Sequence, residues 1–188
     1  MVLSAAPAAA PPTATLLKIG TGLTRGLTIG GYMGTALPLV ISVERQFAPA
    51  WSAYANGSSA WRVSGRRIAP EQGTRSAYLT ELGADLGVRH YYGQARRQAS
   101  GRVPGLLTGN YLAAQASTSF TPNYAPKLYH QVTALSWMWG TQHRLGGHGL
   151  LDAYAGGGLE TRWLGMRRQN TLPLSLHLEA GLKFSLVR

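Results

Sequence analysis

No cysteine occurs among the 188 residues, so neither a disulfide framework nor a thiolate metal site can form. The lack suits an exported protein that never has to manage thiol oxidation. Charge is also scarce: ionisable Asp, Glu, Lys and Arg make up 13% of the chain against about 25% in ordinary soluble domains, and only seven of these residues are acidic. No window of about 18 apolar residues exists, which excludes a transmembrane helix. The five histidines, His90, His130, His143, His148 and His177, show no zinc-site spacing, so no metal and no cofactor are expected. Gly30-Gly31 and Gly156-Gly157-Gly158 lack the strand-then-helix context of a phosphate loop. The opening MVLSAAPAAAPPTAT has neither a basic n-region nor an apolar core and is not an intact secretory signal. Its Ala/Pro content reads as a flexible leader over residues 1–15, left by cleavage or truncation, or as a disordered tail.

What the chain does have is alternation. Residues 174–186, LSLHLEAGLKFSL, place Leu, Ala or Phe at every even position and Ser, His, Glu, Gly or Lys at every odd one. Strict period two over such a length predicts a strand with one apolar and one polar face. Seven further stretches, 16–23, 37–47, 51–63, 78–92, 110–120, 131–143 and 150–163, repeat the pattern, with Arg45 the one charge on an apolar face. Between them lie segments rich in Gly, Pro, Arg and Asn, which is turn and loop chemistry. Apart from residues 93–108, short and long connections alternate, as they do in a closed up-and-down sheet with turns at one rim and loops at the other. The expected fold is therefore all-β: one domain, residues 16–188, an eight-stranded antiparallel up-and-down transmembrane β-barrel.

The orientation of the two faces follows from charge and size. Six of the seven acidic residues sit on polar faces beside five basic ones, giving the inward set Lys18, Glu44, Arg62, Glu81, Asp85, Arg89, Asp152, Glu160, Arg162, Glu179 and Lys183. Near balance is what a confined interior requires, because an unpaired buried charge costs several kcal/mol. The polar faces are otherwise small, rich in Gly and Ser, which fits a narrow lumen filled by side chains. On the apolar faces Phe47, Trp51, Trp61, Tyr78, Tyr92, Phe120, Trp163 and Phe184 lie near strand ends, the pattern of interfacial girdles; Trp137 and Trp139 lie nearer the middle. A soluble ligand-carrier barrel, with the apolar face inward, is the alternative.

The strand texts LPLVISVERQFAPAWSAYAN, ELGADLGVRHYYG, TGNYLAAQASTSF and WGTQHRLGGHGLLDAYAGGGLE resemble the eight-stranded bacterial outer-membrane barrels of the OmpA transmembrane-domain and OmpX type. The resemblance extends from about Leu16 to the end of the chain. It implies an outer-membrane location, periplasmic termini, a lumen closed by ion pairs, and insertion by the barrel-insertion machinery. Such barrels commonly finish on an aromatic residue, whereas this sequence reads Phe184-Ser-Leu-Val-Arg188.

The inward charges have a structural reading, an ion-pair core that holds the barrel shut, and a functional one, a small gated ion pore. Arg25, Arg66, Arg67, Arg75, Lys127, Arg167 and Arg168 fall in the expected outer loops, where clustered guanidinium groups suit lipopolysaccharide phosphates. The net charge of +11 does not point to nucleic acid, since the basic residues fall mainly in turns rather than along one element with aromatics. His177 and Glu179, two apart on one polar face, could orient an imidazole for Ser-based hydrolysis, and several eight-stranded barrels modify lipid A. No nucleophile stands out, so no catalytic residue is assigned. The expectation is a monomeric, non-enzymatic barrel with a plugged lumen whose external loops serve a structural or adhesive role; a lipid A deacylase or acyltransferase is the alternative.

Overall fold

The computed structural model describes residues 14–29, 34–64, 78–93, 107–122, 128–162 and 174–187. They form eight strands: β1 (Thr15–Leu23), β2 (Thr35–Ala48), β3 (Trp51–Ser64), β4 (Leu79–Tyr91), β5 (Gly109–Pro122), β6 (Leu128–Leu145), β7 (Gly149–Arg162) and β8 (Leu174–Val187). Each pairs antiparallel with the next, and β8 returns to β1, closing the barrel in simple chain order. The largest departure from the expected bounds is β6. Leu128 and Tyr129 carry no alternation signal, but they pair with Pro122 and Thr121 of β5, so the ladder outruns the pattern.

The alternation is resolved with its polar face inside. Lys18, Glu44, Ser52, Asn56, Asp85, Arg89, Gln142 and Asp152 are buried, while Leu17, Ile19, Leu39, Ile41, Leu86, Leu135 and Leu178 are exposed. This inverts the arrangement of a soluble domain, which buries its apolar residues. Trp139, mid-strand by sequence, donates its indole N–H to the Tyr92 hydroxyl at 2.6 Å and so joins the aromatics near the tight-turn rim. Trp163 lies outside the described residues.

One rim carries the tight turns after β2 and β6. The first has Ala50 at φ 64° and the second Gly146 at φ 66°. The connection from β4 to β5 returns to the same rim, where Leu107 is buried with Leu16, Tyr91, Tyr111 and Val187, closing that end of the lumen with apolar packing. The opposite rim gathers the four other connections.

Among the described residues the wall is interrupted between β1 and β2, and a proline marks the place. β1 and β2 pair from Thr15↔Arg45 to Gly20↔Val40, and the ladder then stops two residues short of Pro38. The Pro38 carbonyl faces β1, since it accepts the Thr21 hydroxyl at 2.6 Å. The N–H that proline lacks would have pointed the same way, so the next rung has no donor. The chain leaves the sheet, turns inward at residues 24–27 with Gly26 at φ 86°, and rejoins β2 at a single bridge, Thr28↔Ala36. The absence of a Cβ matters at Gly26: one would meet the Ala60 side chain on the lumen wall at 2.9 Å.

Candidate functional site

The lumen charges fall into two layers. In the tight-turn half, Glu44 is fully buried and receives Lys18, Arg89 Nη1 at 3.1 Å, the Ser52 hydroxyl at 2.6 Å and the Tyr91 hydroxyl at 2.7 Å. Arg89 Nη2 also donates to Asp152 at 2.9 Å, and Tyr111 donates to the other Asp152 oxygen at 2.6 Å. Gln142 ties the layer together: its carbonyl accepts Lys18 at 2.9 Å and Arg89 at 2.8 Å, while its amide donates to the Leu107 carbonyl. The Arg89 guanidinium lies 4.5 Å from the Tyr54 ring centre and 4.4 Å from that of Tyr111. Two cations and two carboxylates thus sit in a shell of hydroxyl and amide donors, which is the condition under which buried charge is tolerated.

The long-loop half is looser. Arg25, expected among the outer loops, turns into the mouth of the lumen on the 24–27 turn and reaches Asp85 and Glu179, each at 3.4 Å. Burial opposes its charge, but the carboxylates of Asp85, Glu179 and Glu81 outweigh that and hold its pKa above the usual range. Asp85 also accepts Asn56 at 3.4 Å, and Glu179 accepts Tyr154 at 3.3 Å. Lys183 stands between the layers, opposite Asp152 in the β7–β8 register and 4.9 Å from the Tyr154 ring centre.

The remaining members of the inward set lie apart. Arg162 pairs with Glu160 at 2.6 Å but is exposed at the rim. Arg62 forms no ion pair among the described residues, and its buried Nε has no hydrogen-bond partner. Arg66, Arg67, Arg75, Lys127, Arg167 and Arg168 lie outside the described residues.

Beneath Arg25 the described residues leave part of the outer lumen unfilled. A cavity of about 310 Å³ is bordered by Thr24, Arg25, Ser117, Val132, Ala134, Glu160 and residues 177–180. His177 Nε2 lies 3.2 Å from the Ser136 hydroxyl and 3.8 Å from Glu179 Oε2. Serine and carboxylate therefore share one imidazole nitrogen, whereas a catalytic triad uses both, and Ser136 is fully buried. Among the described residues no group of three or more His, Asp or Glu could hold a metal ion.

Four lumen tyrosines escaped the sequence reading as functional positions. Tyr54, Tyr111 and Tyr154 sit on polar faces and each lies opposite a glycine on the following strand: Gly87, Gly140 and Gly181. A Cβ on any of these glycines would collide with the facing phenol ring. The signal was present as a Tyr at an inward position, yet its register partner could not be read before the strands were paired. Tyr91 shares the inward odd positions of Glu81, Asp85 and Arg89 on β4, whereas Leu107, on the connection beyond it, gave no periodic signal at all.

No protein-family model, no curated protein and no solved structure matches this chain.

Proposed function

We propose that the protein is an integral outer-membrane β-barrel with a plugged polar lumen, acting as a structural or adhesive surface element through its long-loop rim. One observation carries the membrane reading: the closed barrel exposes a continuous apolar belt and buries its charges. Leu176 is 86% exposed and Leu178 93%, while Glu44 is fully buried. In water such a belt would drive association, whereas in a bilayer it is the required surface. A closed barrel also leaves no open sheet margin over most of its wall, as hydrocarbon demands. The likeness of its strand texts to the OmpA and OmpX type of barrel supports the same location.

The non-catalytic reading rests on the Ser136–His177–Glu179 geometry and on a tight-turn half filled by paired charges. A resting pore is disfavoured by the same filling. The basic residues of the outer connections, Arg66, Arg67, Arg75, Lys127, Arg167 and Arg168, are proposed to contact lipopolysaccharide phosphates, with the barrel acting as a monomer and without nucleic acid. Flotation with phospholipid vesicles and heat-modifiable gel mobility test the assignment. Floating, heat-shifted protein is the expected result, and a chain that stays monodisperse without detergent overturns it.

A further inference from the structure

The departure of β1 from the wall has a counterpart on β8. Leu23↔Leu182 is the last rung between them, so residues 174–181 pair with β7 alone among the described residues. The carbonyls of Leu182 and Phe184 face β1 at Gly22 and Gly20. Since the direction of backbone groups alternates along a strand, the groups of Leu176, Leu178 and Ala180 face the same seam beyond the last rung. Thr28, bridged to Ala36, occupies the place of β1 beside β2, so among the described residues the interruption is a slit in the wall between residues 24–27 and β8 rather than a free edge of β2. A slit admits a hydrocarbon chain more readily than a strand.

The 310 Å³ cavity borders this seam, touching four consecutive residues of β8 that alternate between the two faces of the wall. Its volume is that of about ten water molecules at ~30 Å³ each and falls at the lower end of small-molecule sites. Two side chains on its border are incompletely bonded: His177 Nδ1 and Glu179 Oε2 are buried without a hydrogen-bond partner. The direction of the Ser136–Nε2 contact depends on the tautomer, so Nδ1 is a donor in one tautomer and an acceptor in the other, while the carboxylate oxygen is an acceptor. Both atoms are closed to solvent as they stand; once the two side chains rotate to turn them into the cavity, a hydroxyl group, donor and acceptor at once, complements both.

Resting on the membrane reading, we infer that the outer lumen binds a single-chain amphiphile with a hydroxylated head, admitted sideways from the lipid through the β1–β8 seam. The head sits by His177 and Glu179, and the chain passes out across Leu178. Free surfactant and membrane-resident lipid share this chemistry, and the source is decided by the route of delivery.

The test uses the full chain in phosphatidylcholine vesicles with a nitroxide-labelled monoacylglycerol, read as the motionally restricted fraction of its resonance spectrum. A restricted component is expected with the unaltered protein, and at least about tenfold weaker binding with the corresponding fatty-acid methyl ester, which lacks the hydroxyls. His177→Phe and Ala134→Leu, which fill the cavity from β8 and from β6, each reduce binding by a similar factor. Heat-shifted gel mobility verifies folding, and Ala134→Leu leaves every ion pair intact should His177→Phe fail to fold. Delivery from the vesicle interior of the bilayer that proceeds as fast with the long loops blocked by antibody supports entry from lipid; delivery only of free surfactant through the mouth overturns the lateral route. Equal binding of both probes, indifference to both substitutions, or a cross-linked pair of chains joined along β8 overturns the site. Protein that floats yet binds no probe refutes the site alone, whereas protein that does not float refutes the membrane reading and the lateral route together.

Discussion

The Tyr111 ring of β5 lies over Gly140 of β6, its direct register partner, and holds its hydroxyl on Asp152 of β7. One side chain thereby joins three consecutive strands across the lumen. The arrangement requires a hydrogen where any other residue has a Cβ. Gly140→Ala is expected to destabilise the barrel by about 1–3 kcal/mol through overpacking. Gly147→Ala, in a turn where an added Cβ meets nothing, is expected to change stability by less than about 0.5 kcal/mol. Urea midpoints of the vesicle-inserted protein, followed by tryptophan fluorescence, compare the two.

Glu44 anchors the inner layer and Arg25 the outer one, and their removal should differ in consequence. Glu44→Ala leaves Lys18 and Arg89 without their shared carboxylate in full burial, a loss on the order of 3–5 kcal/mol. Arg25→Ala removes two long contacts at a partly exposed site, worth about 1 kcal/mol or less. The same urea titration reads both, and equal effects would contradict the two-layer description.

Leu86 stands mid-strand on the outer face of β4 and is exposed. If that face meets hydrocarbon, Leu86→Arg lowers stability in vesicles by about 2–4 kcal/mol. In a water-facing wall the same change would be nearly neutral. The substitution therefore measures the solvent of the belt.

Pro38→Thr restores the missing N–H opposite β1. Amide hydrogen exchange should then show stronger protection at Gly22, the register partner of position 38, because the ladder can extend past Gly20↔Val40. Unchanged protection would mean that the 24–27 turn, with Arg25 held by Asp85 and Glu179, breaks the strand without help from the proline.

The strands were legible because each face has one solvent: an apolar residue at Leu176 and a charge at Glu179 obey the same alternation for thirteen residues. The inward positions of Lys18, Glu44, Asp85, Arg89, Asp152 and Glu160 were legible for the same reason, while Arg162 proves exposed at the rim. Their grouping was not, since Glu44 meets Arg89 and Arg89 meets Asp152 only through a register that no single strand encodes. The contacts of Arg25 with Asp85 and Glu179 were hidden because a loop position gives no periodicity; its turn begins beyond the point where the β1–β2 ladder stops short of Pro38. The cavity was hidden by the expectation that an eight-stranded lumen is filled. Among the described residues it is filled where Tyr91, Tyr111 and Gln142 reach across, and left open where Ala134 and Ser117 supply the wall.

β1 shares six rungs with β2 and six with β8, and Lys18 adds a tie across the lumen, its ammonium group reaching Glu44 and Gln142. Mechanically this is a stave held by a pin. A pulling force applied at the start of the chain would draw β1 out first, rupturing once Lys18 lets go, and would leave β2 to β8 as a seven-stranded sheet with every other ladder whole.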